Sequence, residues 1–305
     1  MLLKFSIQDF KDDRIYKNLS EKTIEAYILT LNEFQSFCAE HEIIDVQQVT
    51  PQIVKSYLVH CQQRGNNPST RNTKLHHLKI YFNYLEHEEV ITDKQNPTKK
   101  MQYAKEEIKI EVFNDNHIRQ MLNYFRRLKY RDKSLYAYRG YCMILTLLST
   151  GVRLGELCNL KWNDIDLTNG TIIVFGKKRQ QSSIPITDKL VKELSEYKIF
   201  CEQEFETLSD YVFVNRNNKQ LTDNAVKCIF KRLKQIMNFK EVRLSAHTFR
   251  HTFAQRFLAN GGDVFTLQKM LRHSNLRMTE RYLALWGTAL REQNDKYNPL
   301  NNLDI

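Results

Sequence analysis

Between Ser245 and Tyr282 an imidazole, a guanidinium, a second imidazole and a phenol follow one another at spacings a fold can close into one site. His247 and Arg250 stand at i and i+3, so on a helix they share a face. Phe249, Phe253 and Phe257 recur at i, i+4 and i+8 and mark a separate apolar stripe. One side of such a helix is core; another presents groups that bind oxyanions and move protons, and a phenol brought beside them is a latent nucleophile. Gly261-Gly262 ends the run, and Asp263 is the N-cap of a second helix that closes near Leu271. His273 then sits at a turn, with Ser274 as a cap for the next helical segment. On one continuous helix His273 and Tyr282 would lie half a revolution out of phase. They meet only if the backbone breaks between them, and Ser274-Asn275 is the break signal. None of these residues is diagnostic alone, since the chain has 15 tyrosines and most tyrosines serve as core or surface.

The elements that must position this set are written in the rest of the chain. Its 305 residues are a two-domain length. The net charge is +11, and it is uneven: residues 1–108 hold 14 Lys+Arg against 15 Asp+Glu, whereas the remainder holds 32 against 20. The basic excess lies with the His/Arg/Tyr cluster and points to a polyanionic partner. The six cysteines (Cys38, Cys61, Cys142, Cys158, Cys201, Cys228) form no CxxC pair and read as buried, reduced thiols of a cytoplasmic protein. The N-terminal residues lack the apolar core of a secretory signal, and no apolar run approaches a membrane span.

The first third reads as a bundle of four or five helices. Ser20 caps a helix carrying Ile24, Tyr27, Ile28, Leu31 and Phe34. Thr50-Pro51 starts another with proline at its first position, and Ser69 caps a third whose stripe is Leu75, Leu78, Phe82 and Leu85. On that helix Arg71, Lys74 and Lys79 cluster to one side, as a phosphate-binding face or equally as a solvated one. The aperiodic stretch Asp93 to Lys109, with Asn96-Pro97, is linker-like. The division adopted is 1–104 for the helical unit, 105–110 for the linker and 111–305 for a second, α-rich domain. There an apolar helix from Tyr136 to Leu148 stops at Gly151, followed by Arg153 and a short helix towards Leu160. Asn169-Gly170 signals a hairpin, Thr171–Phe175 a strand, residues 176–181 a basic turn, and Ser182–Ile186 a third strand. The fold class is therefore mainly α with a small antiparallel β-sheet. Asp164 and Asp166 serve a turn rather than a metal, because no further ligands surround them. Helices resume from Thr187 and from Thr222 to Met237.

With these motifs in order, the chain resembles the tyrosine recombinases, or phage integrase family, over nearly its whole length, and most closely the simple two-domain Xer-like type. Thr150-Gly151-Val152-Arg153-Leu154-Gly155-Glu156-Leu157 is similar to the motif bearing the family's first catalytic arginine, Arg153. Gly176-Lys177 resembles the segment of the catalytic lysine, with Lys178 an open alternative one residue on. His247-Thr248-Phe249-Arg250-His251 resembles the HxxR box, and Leu271-Arg272-His273-Ser274 through Tyr282 the box ending in the nucleophile. One departure is visible: Arg272 stands where the family usually has glycine.

The resemblance implies a helical core-binding, SAM-like bundle and a catalytic domain that together clamp DNA. It implies no cofactor, no metal and no membrane. It implies attack by Tyr282 on a phosphodiester, leaving a 3′-phosphotyrosyl link and a free 5′-hydroxyl. Arg153 and Arg250 would grip the non-bridging oxygens with forked donors, and His273 would add a hydrogen bond; losing one such stabiliser costs about 2.7–4 kcal/mol of barrier. His247 is the candidate for moving the phenol proton, the cationic surroundings favouring phenolate. Lys177 is the candidate acid for the departing oxygen. Glu156 orients Arg153 or is a plain surface acid. Arg71, Lys74, Lys79, Lys178 and Arg179 are candidate DNA contacts. The expected partner is a double-stranded recombination site, bound by a homo-tetramer that exchanges strands through a Holliday junction and is a monomer or dimer without DNA. Accessory DNA-bending or directionality factors belong to the same expectation. Residues Leu285–Ile305, with Trp286 and Leu290, either dock on a neighbouring subunit or pack on their own. The expected role is recombination of a mobile element; the alternatives are Xer-type resolution of chromosome or plasmid dimers, a type IB topoisomerase-like activity and a catalytically idle DNA-binding protein.

Overall fold

The computed structural model describes residues 1–106, 110–175 and 181–282. The chain divides into two compact units, Met1–Ile108 and Lys109–Ile305. Lys177, Lys178 and Arg179 of the basic turn, and the C-terminal segment with Trp286 and Leu290, lie outside the described residues.

The first unit is built from α1 (Leu3–Tyr16), α2 (Glu21–Glu40), α3 (Pro51–Gln63) and α4 (Pro68–His87). Each start has a local cause. Ser20 accepts from the Thr23 amide and Thr50 from the Ile53 amide ahead of Pro51. For α4 the cap is Asn67, accepting from the Thr70 amide, and not Ser69. Pro68 occupies the first helical position, where its missing N–H costs nothing, so the cap falls one residue before it. The core gathers Phe10, Leu31, Phe34, Tyr57, Tyr81 and Phe82. The polar stretch after α4 is tied down on that helix: Asn96 donates to Asn83 and Glu86, Thr98 is fully buried, and Asn72 bonds both the N–H and the C=O of Ala104.

The second unit is organised around α6 (Leu135–Thr150), which is buried on nearly every side and packs against α5 (Asp115–Asp132), α8 (Asp188–Glu204) and α10 (Ala246–Ala259). An apolar helix of this kind is stable only inside a core. After α7 (Leu154–Asn159) come β1 (Ile165–Asp166), β2 (Thr171–Phe175) and β3 (Gln181–Pro185), an antiparallel sheet in the order β1-β2-β3. Ile172 pairs with Ile165 on one side and Ile184 on the other. Gly170, at φ +61°, turns the first hairpin, and Asp166 accepts from the amides of Thr168 and Asn169; Asp164 accepts from the Lys161 amide. Both aspartates thus hold turns. Among the described residues, α9 (Asp223–Met237), α11 (Val264–Leu271) and the single turn α12 (Arg277–Glu280) are the remaining helices of this unit.

Cys38, Cys61, Cys142, Cys158 and Cys201 are buried free thiols, while Cys228 is exposed. Among the described residues, no helix is long and apolar enough to cross a membrane and no cluster of three metal-ligating side chains occurs.

Candidate active site

α10 carries the densest part of the site. Ser245 caps it, accepting from the Thr248 amide. Its phenylalanines stitch two cores: Phe249 packs with Phe113 and Phe230, and Phe253 joins Leu267, Leu271 and Tyr282. Arg250, between them, is 4% exposed. The Arg250 guanidinium cannot shed its charge inside the protein, so its donors must be met. NH1 donates to the Gly151 carbonyl at 2.7 Å and NH2 to the Leu271 carbonyl at 2.5 Å. Arg250 therefore ties the end of α6 to the end of α11.

Gly151 ends α6 at φ +60°. A Cβ there would lie 2.6 Å from Phe253 Cδ1 and 2.9 Å from Leu271 Cδ2, so only glycine lets α6 and α11 approach this closely. Two residues on, Arg153 caps α7 while its own N–H donates to Glu156 Oε2 at 2.7 Å. Arg153 NH1 donates to Glu156 Oε1 at 2.9 Å and NH2 reaches the Arg272 carbonyl at 3.3 Å. Its side chain is 41% exposed, whereas that of Glu156 is 6% exposed. Glu156 is thus a buried partner of Arg153, not a surface acid. Burial pushes its carboxyl up, but Arg272 and Arg153 outweigh that and hold it below the usual range.

The C-terminal turn of α11 is the hub on which these chains meet. A helix end exposes carbonyls without partners. Here Leu271 C=O is taken by Arg250 and Arg272 C=O by Arg153, and His273 follows directly. Arg272 adopts φ +54°, the left-handed cap conformation that glycine usually supplies. His273 Nδ1 bonds Thr279 Oγ1 at 2.8 Å. The helical path breaks between Leu271 and Arg277, at the Ser274-Asn275 signal. Asn275, however, accepts from the Met278 amide, whereas the Ser274 hydroxyl donates to the Met278 sulfur. The Asn275 amide carbonyl is the stronger acceptor, so it takes the role expected of Ser274.

Tyr282 is buried, and its OH lies 2.7 Å from His251 Nδ1. His247, the expected proton mover, is an exposed neighbour whose ring stacks edge-on against His251 at 4.1 Å. Sequence reasoning missed His251, although a signal was present: it lies at i+4 from His247 on the same helix face. Electrostatics tie the histidines together. His251 is pushed down to about 4 by burial, then by His247 and Arg250. His273 is pushed down to about 4 by burial, then by Arg250, Arg153 and Arg272. His247 is lowered by partial desolvation and by Arg250 and Arg153. The cations act on Tyr282 in the expected direction, Arg250, Arg281 and Arg153 each lowering its pKa, but burial outweighs them and holds the phenol above the usual tyrosine range.

Arg250 and Arg153 thus act electrostatically on His247, His273 and Tyr282 alike, and Glu156 is hydrogen-bonded to Arg153. The lysine candidates Lys177 and Lys178, with Arg179, fall outside the described residues; the last described pair below that turn is Phe175 with Gln181. The basic cluster on α4 is largely spoken for within the first unit. Lys74 Nζ bonds both Glu33 oxygens at 2.6 and 2.7 Å, Lys79 Nζ donates to the Met101 carbonyl at 2.7 Å, and Arg71 NH1 donates to Gln62 at 2.7 Å. Lys74, whose side chain is 12% exposed, is neutralised where it stands.

Comparison with known proteins agrees with this architecture. Residues 111–286 match the model of the "Phage integrase family" and residues 7–89 that of the "Phage integrase, N-terminal SAM-like domain". The tyrosine recombinase XerC of Leptospira interrogans is 28% identical over 290 residues, covering 94% of this chain and 90% of its own. The Tn1549 transposon integrase, solved in complex with transposon right end DNA, superposes with a TM-score of 0.77 at 20% identity, covering 92% of this chain and 94% of that one. A lambda integrase tetramer bound to a Holliday junction superposes with a TM-score of 0.72 at 17% identity, covering 90% of this chain and 78% of that one.

Proposed function

The chain belongs to the phage integrase family, as a tyrosine recombinase of the Xer-like type, and from that premise we propose that Tyr282 cleaves and rejoins DNA at a specific site through a 3′-phosphotyrosyl intermediate. One observation carries the reading. Arg153 and Arg250, from distant parts of the chain, end on consecutive carbonyls beside His273, and the residue after Arg250 holds the Tyr282 hydroxyl. A site so built suits a single backbone phosphate.

The Tyr282 oxygen attacks phosphorus and the bond from phosphorus to the 5′-oxygen breaks. The phenol proton passes to an imidazole, His251 being in contact and His247 adjacent, and Lys177 returns a proton to the departing oxygen. Arg153, Arg250 and His273 bind the non-bridging oxygens, whose charge grows in the transition state. Glu156 orients Arg153. The covalent link conserves the bond, so rejoining by the 5′-hydroxyl needs no nucleotide. The phosphodiester anion bound in this cleft, and the further charge that grows on it during attack, also pull His247 and His273 towards their protonated forms.

The partner is a double-stranded recombination site, acted on in the cytoplasm by a homo-tetramer through a Holliday junction; the lambda integrase tetramer supports that assembly. Arg71 and Lys79 of the first unit, a bundle of the core-binding kind, and Lys178 and Arg179 of the second supply further DNA contacts, and accessory DNA-bending or directionality factors set the outcome. The likeness to a transposon integrase supports a mobile-element role, and the full-length match to XerC supports dimer resolution equally. Sequencing junctions formed in cells separates the two.

The test is a nicked suicide duplex built from such a junction. Wild type accumulates a covalent adduct; Tyr282→Phe binds the duplex and forms none. An adduct that persists in Tyr282→Phe moves the nucleophile elsewhere.

A further inference from the structure

We propose that Arg272 is a positioning residue for Arg153, acting through Glu156, and that it keeps the charge of Arg153 available to the phosphate. The inference rests on the reading that Arg153 binds the scissile phosphate.

Arg272 pays a conformational cost that glycine would not. It sits at φ +54°, ψ +49°, a region where the Cβ of any L-residue crowds its own backbone. Its side chain is nevertheless folded inward, 8% exposed. NH2 donates to Glu156 Oε2 at 2.5 Å and NH1 to the Met270 carbonyl at 2.9 Å. Glu156 in turn accepts from the main chain and the guanidinium of Arg153, and Arg153 NH2 returns to the Arg272 carbonyl. The result is a closed ring, Arg153 to Glu156 to Arg272 and back, bridging the α6–α7 turn and the α11 cap. The ring restrains Arg153 at its backbone and at both terminal nitrogens.

The charge count gives the ring a second role. A buried carboxylate paired with Arg153 alone would cancel it. With Arg272 on its other oxygen, Glu156 is shared, and the ring retains one net positive charge beside Arg250. Burial and Arg153 lower the pKa of Arg250 most, and Arg272 adds to them; His273 is lowered by burial, Arg250 and Arg153 and then by Arg272, so the field of Arg272 reaches both groups. Its own guanidinium is buried and engaged by Glu156 and the Met270 carbonyl. Arg272 is therefore distinct from the groups that contact the phosphate.

The experiment uses the full chain and the junction-derived suicide duplex, with Arg272→Gly and Arg272→Lys. Glycine relieves the left-handed strain and keeps the carbonyl that Arg153 uses, Arg272→Lys keeps the charge without the fork, and a urea midpoint confirms that each variant is folded before cleavage is compared. We expect both to bind the duplex within a few-fold of wild type. Single-turnover cleavage by Arg272→Gly should slow by about 10–100-fold, less than the ~100–1,000-fold typical of deleting a transition-state donor outright. A methylphosphonate at the scissile position, which removes one non-bridging charge, should shrink that deficit to a few-fold. In an Arg153→Ala background, Arg272→Gly should add no further loss. Cleavage by Arg272→Gly at the wild-type rate, an equal deficit on the methylphosphonate, or full additivity with Arg153→Ala each overturns the proposal while leaving the recombinase reading intact. A wild-type chain that forms no adduct overturns that reading, and this inference with it.

Discussion

Arg250 is placed to do two jobs, and substitution with lysine separates them. Its guanidinium is 4% exposed and spans two carbonyls, Gly151 at the end of α6 and Leu271 at the end of α11. Burial and the neighbouring arginines lower its pKa to about 10, so it remains charged at neutral pH. A hydrogen bond to a charged donor contributes about 1.5–3 kcal/mol. A lysine ammonium is a point donor on a stem and reaches one carbonyl, not both. Arg250→Lys should therefore cost about 1.5–3 kcal/mol, and Arg250→Ala, which frees both carbonyls, roughly twice that. Both tryptophans, Trp162 and Trp286, belong to the second unit, so tryptophan fluorescence in a urea titration of the full chain reports that unit alone. With a urea slope of about 2 kcal/mol/M, the midpoint should fall by roughly 1 M for lysine and 2 M for alanine. Cleavage should be lost in both, because neither offers two parallel donors to a phosphate. Midpoints unchanged from wild type in both variants would refute the structural half of the reasoning; retained cleavage by Arg250→Lys would refute the catalytic half.

Other perturbations test other parts of the site. Gly151→Ala should cost about 1–2 kcal/mol for the left-handed backbone and a further ~1–3 kcal/mol for the overlap with Phe253 and Leu271, read as a fall in the same urea midpoint; a change below about 0.5 kcal/mol would contradict the packing described. His251 and His273 titrate near 4 in the fold against 6.5 when unperturbed, so the fold disfavours their protonated forms. Their contribution is intact above pH 6.5 and is lost as pH falls through that window towards 4. Urea midpoints measured between pH 7.5 and 4.5 should fall on the acid side, less steeply in His273→Gln, and an equally steep fall in the variant would remove His273 from the account. Lys177→Ala should lose cleavage on an ordinary duplex and recover it on one with sulfur at the 5′-bridging position, since a thiolate leaves without an acid; recovery of Lys178→Ala in its place shifts the assignment by one residue.

What the sequence determined by itself was local. The caps at Ser20, Thr50 and Asp263, the Gly170 turn, the all-round apolar α6 and the helical pairing of His247 with Arg250 arise from side chains acting within a few residues of their own backbone. Where two such signals competed at short range, sequence chose wrongly: Asn67 took the cap expected of Ser69, and Asn275 that of Ser274. The motif order was also legible, because residue identity survives without coordinates. Only tertiary structure decided the partners. That Tyr282 rests on His251 rather than His247, that Lys74 is cancelled by Glu33, and that Arg272 turns inward onto Glu156 are matters of burial and charge between segments far apart in the chain. A buried ion must find its counter-charge or hydrogen-bond partners wherever the fold brings them. No window of sequence contains both members of such a pair, so their pairing is settled when the helices pack.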